Sequence, residues 1–344
     1  MTFYLPSEWS PQSAVQLTWP HGQTDWQPWL AEVEGVYLEI VNAITRFQLV
    51  VIACHDTDIE RHIMEVLSES GIDTKLVRTF VAPCDDTWAR DHGPITLVDG
   101  ADQTSMLDFR FNAWGDKYGS GLDDKITMSL IQQPFCHLNQ YRNLDFVLEG
   151  GSIESDGKGT LLTTEKCLLN PNRNSNLNKP EIEQALIQAL GVKQIIWLQH
   201  GYLAGDDTDA HIDTLARFAP NGIVYVSCDD KRDPHYLELK NMEAELQQAK
   251  GIDGKPYRLF PLPWPKPVRN KDGEQLPATY ANFLVINGAV LVPVYDDPQD
   301  DEALKVISNA FPGREVIGIN CLSIIEQYGS LHCLTMQLPQ HLIK

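Results

Sequence analysis

Four turn signals, Asp99-Gly100, Asp156-Gly157, Asn221-Gly222 and Asn287-Gly288, recur about 57 to 66 residues apart, each beside short apolar runs. Asp-Gly and Asn-Gly favour tight hairpins because both turn residues tolerate positive φ. The flanking runs Ile95–Val98, Thr160–Thr163, Ile223–Val226 and Val290–Val292 read as strands, and helical periodicity fills residues 123–132, 180–190, 236–250 and 301–310. A fixed period of this size marks a repeated supersecondary unit. The N-terminal part alternates in the same manner: a strand over 14–19, a helix over 28–47 carrying Trp29, Val33, Val36, Tyr37, Ile40, Val41 and Ile44, a buried strand over 49–54 and a helix over 57–70. Alternating strands and helices predict an α/β layer structure. Units closing into a ring would make residues 1–344 a single domain without a linker. The Pro261–Pro267 stretch is too stiff for a helix and is expected as a surface loop near a pocket mouth.

Charge narrows the partners. With 27 Lys and Arg against 47 Asp and Glu, the formal charge is −20, which repels nucleic acid and anionic membranes and favours a small cation. The start, Met1-Thr2-Phe3-Tyr4-Leu5, has no basic or apolar leader, and no run approaches the roughly 18 apolar residues of a membrane span, so a cytoplasmic protein is expected. The seven cysteines are scattered with no Cys-x-x-Cys pair, which argues against a disulfide framework or a cysteine zinc site.

Each unit is headed by polar residues with chemistry to offer. Asp91 precedes the first hairpin, Glu149 the second, His211 and Asp213 the third and Asn282 the fourth, while Cys333 ends the flexible approach Gly329-Ser330. If His211-Ile212-Asp213 begins a strand, imidazole and carboxylate project to one face, one pleat apart. His332, beside Cys333, should then face away from the thiol and take no part. Convergent carboxylates, an imidazole and a thiol suit a guanidinium: carboxylates accept its N–H groups, and its resonance-stabilised carbon needs a strong nucleophile such as a thiolate. His211 would protonate departing ammonia and then activate water, with no metal needed.

The segments Leu5-Pro6-Ser7-Glu8-Trp9, Trp88-Ala89-Arg90-Asp91, Phe111-Asn112-Ala113-Trp114-Gly115, Leu148-Glu149-Gly150-Gly151, Gly205 to Asp213 and Leu331-His332-Cys333 resemble the agmatine deiminases, within the bacterial-type peptidyl-arginine deiminase family of the guanidino-group-modifying superfamily. The resemblance runs in order along nearly the whole chain. It implies a five-bladed α/β propeller, the pentein fold, built of ββαβ-like units around a central active site. It also implies hydrolysis of a guanidino to a ureido group with release of ammonia, a place in polyamine and putrescine formation, no cofactor, and a homodimer. By position, Cys333 resembles the nucleophile, His211 the general acid and base, and Asp91 and Asp213 the guanidinium clamps. Trp88, Trp114, Glu149, Asp207 and Asn282 resemble substrate-binding positions.

Two departures leave the substrate open. Gly329-Ser330-Leu331-His332 stands where the agmatine enzymes commonly have Gly-Gly-Gly-Asn-Ile-His, and Gly115-Asp116 where they have Gly-Gly. Agmatine is the expected substrate; a peptidyl-arginine or free-arginine deiminase with the same chemistry is the alternative. A metal hydrolase using His211, Asp213 and Asp91, or a non-catalytic guanidine or polyamine binder, are readings of other classes.

Overall fold

The computed structural model describes residues 2–344. Its strands form five small sheets. The first holds β1 (Gln12–Thr18), β2 (Leu49–Cys54) and β3 (Val77–Val81), all parallel. Four further sheets repeat one plan, an antiparallel hairpin followed by a helix and a third strand parallel to the second. They are β4 (Ile95–Val98), β5 (Thr104–Arg110) and β6 (Gln140–Val147); β7 (Glu154–Ser155), β8 (Thr160–Thr164) and β9 (Gln194–Leu198); β10 (Ala216–Ala219), β11 (Gly222–Val226) and β12 (Leu259–Leu262); and β13 (Leu284–Ile286), β14 (Ala289–Val294) and β15 (Glu315–Asn320). The last strand, β16 (Thr335–Pro339), pairs antiparallel with β1, so the two ends of the chain complete the first sheet. The result is a five-bladed α/β propeller.

A parallel pair needs a long crossover, and the sequence supplies amphipathic helices at Leu30–Thr45, Lys179–Leu190, Tyr236–Gln248 and Asp300–Ala310. Lys179–Leu190 opens on an Asn178 capping box with Glu181 and stops at Gly191 in the left-handed region (φ 67°). Two of the four hairpin turns use the expected glycine in the left-handed region, Gly157 and Gly288 with φ of 67° and 78°, whereas in the first hairpin Asp102 (φ 60°) takes that conformation instead of Gly100. Among the described residues no helix is long and apolar enough to cross a membrane.

Two expectations need correction. Pro261 and Leu262 belong to β12 rather than to a loop, and Trp264–Pro267 line a small separate pocket with Ala204 and His235, away from the thiol. Pro261 fits because its side chain is exposed on the outer strand of the sheet. His211 and Asp213 are not on a strand: Ile212–Thr214 form a 3-10 turn and β10 starts only at Ala216. Side chains impose this turn. Thr208 Oγ1 accepts from His211 N–H (3.1 Å) and Thr214 Oγ1 donates to the His211 carbonyl (2.9 Å), so the backbone bonds locally instead of in a ladder.

Candidate active site

One rule places six of the candidates, each in the segment leading into a strand of an antiparallel pair, whereas Trp114 follows β5. Asp91 sits in the short helical turn Ala89–His92 ahead of β4, Glu149 ahead of β7, His211 and Asp213 ahead of β10, Asn282 just ahead of β13, and Cys333 just ahead of β16. The ring brings these lead-in segments to its centre. Gly151 marks the convergence, since a β-carbon added there would stand 2.6 Å from His211 Nδ1, 2.8 Å from Asp91 Oδ1 and 3.0 Å from Asp213 Oδ2. Its amide N–H donates to Asp91 Oδ1 (3.0 Å).

The thiol faces the same place. Cys333 Sγ is 3.9 Å from Asp213 Oδ2 and 3.4 Å from Asn282 Oδ1. Asn282 Oδ1 also accepts from the His332 and Cys333 amides (2.9 and 3.3 Å), so Asn282 shapes the cysteine turn. His211 Nδ1 lies 3.7 Å from Asp91 Oδ1, yet neither ring nitrogen of this fully buried residue has a hydrogen-bond partner. Asp213 Oδ1 is buried and unpartnered as well. Buried polar atoms are rarely left so, and Asp213 Oδ1 is an acceptor that a ligand's N–H group would satisfy.

Burial lifts the Asp91 carboxyl to about 6, helped by Asp213 and Glu149 and opposed by His211. Burial works against a charge on His211, but Asp91, with Cys167 and Glu149, outweighs it and raises the imidazole to about 10. Near neutrality the pair is therefore imidazolium and carboxylate. Burial, then Asp213 and Asp91, push the Cys333 thiol well above its ordinary value. Burial also works to raise Asp213, but the His332 hydrogen bond prevails and keeps this carboxyl below the usual range.

A channel leads from Cys333 past Trp88 and Trp114 to a mouth that includes Asp25, Asp207, Tyr118 and Tyr328. The Trp88 and Trp114 rings stand edge to face with centroids 6.5 Å apart. Trp114 Nε1–H donates to Asp91 Oδ2 (2.9 Å), and Trp88 Nε1–H to Asp86 Oδ2 (2.9 Å). Trp114 owes its position to a run of left-handed residues, Ala113, Trp114, Gly115 and Asp116, with φ of 46°, 57°, 91° and 62°. Each non-glycine there costs on the order of 1 to 2 kcal/mol. Asn112 holds the turn by accepting from Gly115 N–H (3.0 Å) and donating to the Asn172 carbonyl (2.9 Å). No lysine or arginine lines the channel, although Lys117 pairs with Asp207 (3.4 Å) at its rim and Tyr118 donates to the same carboxylate (2.6 Å).

Glu149 differs from its expected place on the substrate wall. It is fully buried and doubly engaged by Arg173 Nε (2.8 and 3.0 Å), and it meets the site from behind His211, grouped with Cys167. Arg90 does not pair with Asp91 but with Glu8 (3.3 Å). Behind Asp213 lies a layer of buried partners that no local sequence pattern announces. His332 Nδ1 donates to Asp213 Oδ2 (2.7 Å), and its Nε2 faces Glu8 Oε1 (2.8 Å) and Arg217 Nη2 (2.9 Å). Arg217 is fully buried, bonded to Glu154 (2.5 Å) and to the Phe283 carbonyl (2.9 Å). His332 and Cys333 lie in a turn rather than on a strand, and both side chains approach Asp213 Oδ2 (2.7 and 3.9 Å), so His332 holds Asp213 directly. Glu8 and His332 lay within the quoted motifs, which was the one signal available. A larger cavity lined by Leu5, Glu8, Arg90, Glu154 and Gln337 backs onto this cluster and contains neither Cys333 nor His211.

The metal-hydrolase alternative named His211 with Asp213 and Asp91. Among the described residues, the potential ligand atoms that close around His211 belong to Glu149 and Cys167 instead.

Known proteins resemble this chain over nearly its whole length. An agmatine deiminase of Stutzerimonas stutzeri is 33% identical, covering 99% of this chain and 97% of that one. A solved C. jejuni agmatine deiminase, a Cys-to-Ser variant with substrate bound, is 40% identical with a TM-score of 0.88, covering 98% of this chain and 96% of that one. A Porphyromonas gingivalis structure described as a candidate arginine deiminase is 48% identical with a TM-score of 0.92, covering 99% of both chains. At 12% identity and a TM-score of 0.52, an amidinotransferase of Microseira wollei shares the fold. The model of the Porphyromonas-type peptidyl-arginine deiminases matches residues 4–339, and the chain belongs to that family.

Proposed function

We propose that the protein hydrolyses agmatine to N-carbamoylputrescine and ammonia through a covalent intermediate on Cys333. The observation that carries this reading is the buried, unpartnered Asp213 Oδ1, on the carboxylate whose other oxygen is 3.9 Å from the Cys333 thiol, with Asp91 and the His211 imidazole (3.7 Å apart) at the same point and an acidic channel leading to the thiol. A guanidinium placed there gives N–H groups to Asp91 and Asp213 on two edges. Its positive charge also offsets the two carboxylates that disfavour a thiolate, so the thiol ionises as the substrate docks.

The thiolate attacks the guanidinium carbon to give a tetrahedral adduct. His211, protonated near neutrality, passes its proton to a terminal nitrogen, which leaves as ammonia. The neutral imidazole then takes a proton from water; the hydroxide attacks the thiouronium carbon, and collapse expels the thiolate while the adduct's O–H proton passes to solvent, leaving the ureido product. Trp88 and Trp114 flank the aliphatic stem, and the acidic mouth receives the distal ammonium. A free amino acid would bring a carboxylate into a channel lined by aspartates, which favours agmatine over arginine. We read the chain as one catalytic domain acting in the cytoplasm on a diffusing small molecule, as a homodimer.

The test is ammonia release from agmatine, free arginine and a blocked arginine peptide, with the wild-type protein and Cys333→Ser. Turnover of agmatine lost in the variant is the expected result. Preference for arginine or the peptide would keep the chemistry and replace the substrate. Ammonia release by the serine variant at the wild-type rate would remove the covalent mechanism.

A further inference from the structure

Three strands of the first sheet run parallel, and the residues just past their C-terminal ends form a cluster apart from the thiol site. His21 follows β1, His55 follows β2 and Cys84 follows β3. One ring nitrogen of each histidine and the Cys84 sulfur all lie within 4.8 Å of one another. The two imidazole rings face each other with centroids 4.1 Å apart. His21 is 3% exposed, and its Nε2 has no hydrogen-bond partner. Cys84 is 2% exposed, whereas His55 is half-buried and leaves a way in from solvent.

We infer that His21, His55 and Cys84 form a binding site for a zinc-class divalent cation, with water as the fourth ligand. Two imidazoles and a thiolate are the donor set that such borderline cations prefer, and calcium or magnesium would be passed over for want of oxygen ligands. In a tetrahedral zinc site, with metal-ligand distances of about 2.0 to 2.3 Å, neighbouring donor atoms stand roughly 3.3 to 3.8 Å apart. To meet that requirement one imidazole must turn out of the present face-to-face arrangement, whose planes stand at 33°, and His55 Nδ1 must release the Cys84 amide from which it accepts at 3.2 Å. Carboxylates stand near the cluster, Asp56 and Asp85 acting on His21 and Asp86 and Asp85 on Cys84, while burial lifts neighbouring Asp123 to about 8. The field favours a cation and opposes a bare thiolate, so metal and thiolate enter together.

The position gives the site a consequence. The segments it would tie run directly into the channel wall, since Trp26 Nε1–H donates to Asp86 Oδ1 (2.9 Å) and Asp86 in turn holds Trp88. A metal at the strand ends braces the loops carrying Asp25 and Trp88, while the covalent chemistry stays metal-free.

The chelator-stripped full-length protein, titrated with Co2+ and with Zn2+, tests this. The expected result is one tightly bound equivalent, a thiolate-to-cobalt absorption band, and a melting temperature raised by several degrees at Zn2+ about 100-fold above its Kd. The band persists in Cys333→Ser and in Cys167→Ser and is lost in both Cys84→Ser and His21→Gln. If Cys84→Ser does not fold, His21→Gln decides alone. Absence of the band, its survival in His21→Gln, or its loss in Cys167→Ser or Cys333→Ser would overturn the assignment, the last two because the thiol would then belong to the channel or to the Glu149–Cys167–His211 group.

Discussion

His332 Nδ1 stands 2.7 Å from Asp213 Oδ2, and the other oxygen of that carboxylate is unpartnered. One oxygen is thus an anchor and the other is free for a guanidinium. The anchor is itself braced, because His332 Nε2 meets Glu8 and Arg217. His332→Gln should lower kcat/KM for agmatine by about 10- to 100-fold, the worth of one hydrogen bond to a charged group. The loss should lie chiefly in KM, because Asp213 loses the bond that orients it and keeps it ionised. An unchanged KM would reduce His332 to packing.

Asp91 and His211 set the pH window. Asp91 titrates at about 6, so below that pH its proton removes an acceptor for the guanidinium and kcat/KM falls. His211 titrates at about 10, and above that pH the leaving ammonia loses its proton donor. These limbs belong to the coupled pair rather than to either residue. Trp114 Nε1–H stabilises the Asp91 carboxylate, so Trp114→Phe should shift the acid limb upward and leave the alkaline limb in place. Stopped assays of ammonia release across pH 5 to 11 would show an acid limb unmoved in the variant if this bond has no such effect.

Gly151 leaves the space that the site needs. Its missing side chain would contact His211 Nδ1, Asp91 Oδ1 and Asp213 Oδ2, all within 3.0 Å. Gly151→Ala should therefore cost about 100-fold or more in kcat/KM, the scale of an ångström's misplacement of reacting groups. Its overpacking penalty in a thermal melt should be about 1 to 3 kcal/mol, too small to unfold the protein. Near-normal turnover would mean that the three groups are not the guanidinium cradle.

Much of this molecule is legible locally. Asp156-Gly157 and Asn287-Gly288 announce hairpins because positive φ has few tolerant residues, and helical periodicity located Lys179–Leu190 and Asp300–Ala310 to within a residue. Asp91, His211, Asp213 and Cys333 were readable as one constellation because each heads a repeated unit and because their segments resemble a known family. What stayed hidden depends on distant partners. His332 and Glu8 are 324 positions apart, and Arg173 reaches Glu149 across 24. No local pattern encodes such pairs, and the strand assigned to His211–Asp213 failed because hydroxyls of Thr208 and Thr214 captured the backbone.

Arg173 and Glu149 supply the last prediction. Both side chains are fully buried, and Arg173 also donates to Asp209 (2.9 Å) and to the Thr208 carbonyl (3.0 Å), tying the loop that delivers His211. Arg173→Met strands the Glu149 charge, which should cost about 3 to 5 kcal/mol of stability at neutral pH. Glu149→Gln combined with Arg173→Met removes the stranded charge and should recover part of the stability at pH 7 but not the activity, since the carboxylate grouped with His211 is gone. Urea melts of the single and double variants at neutral pH measure this, and a deficit unchanged by Glu149→Gln would show that Arg173 acts through packing alone.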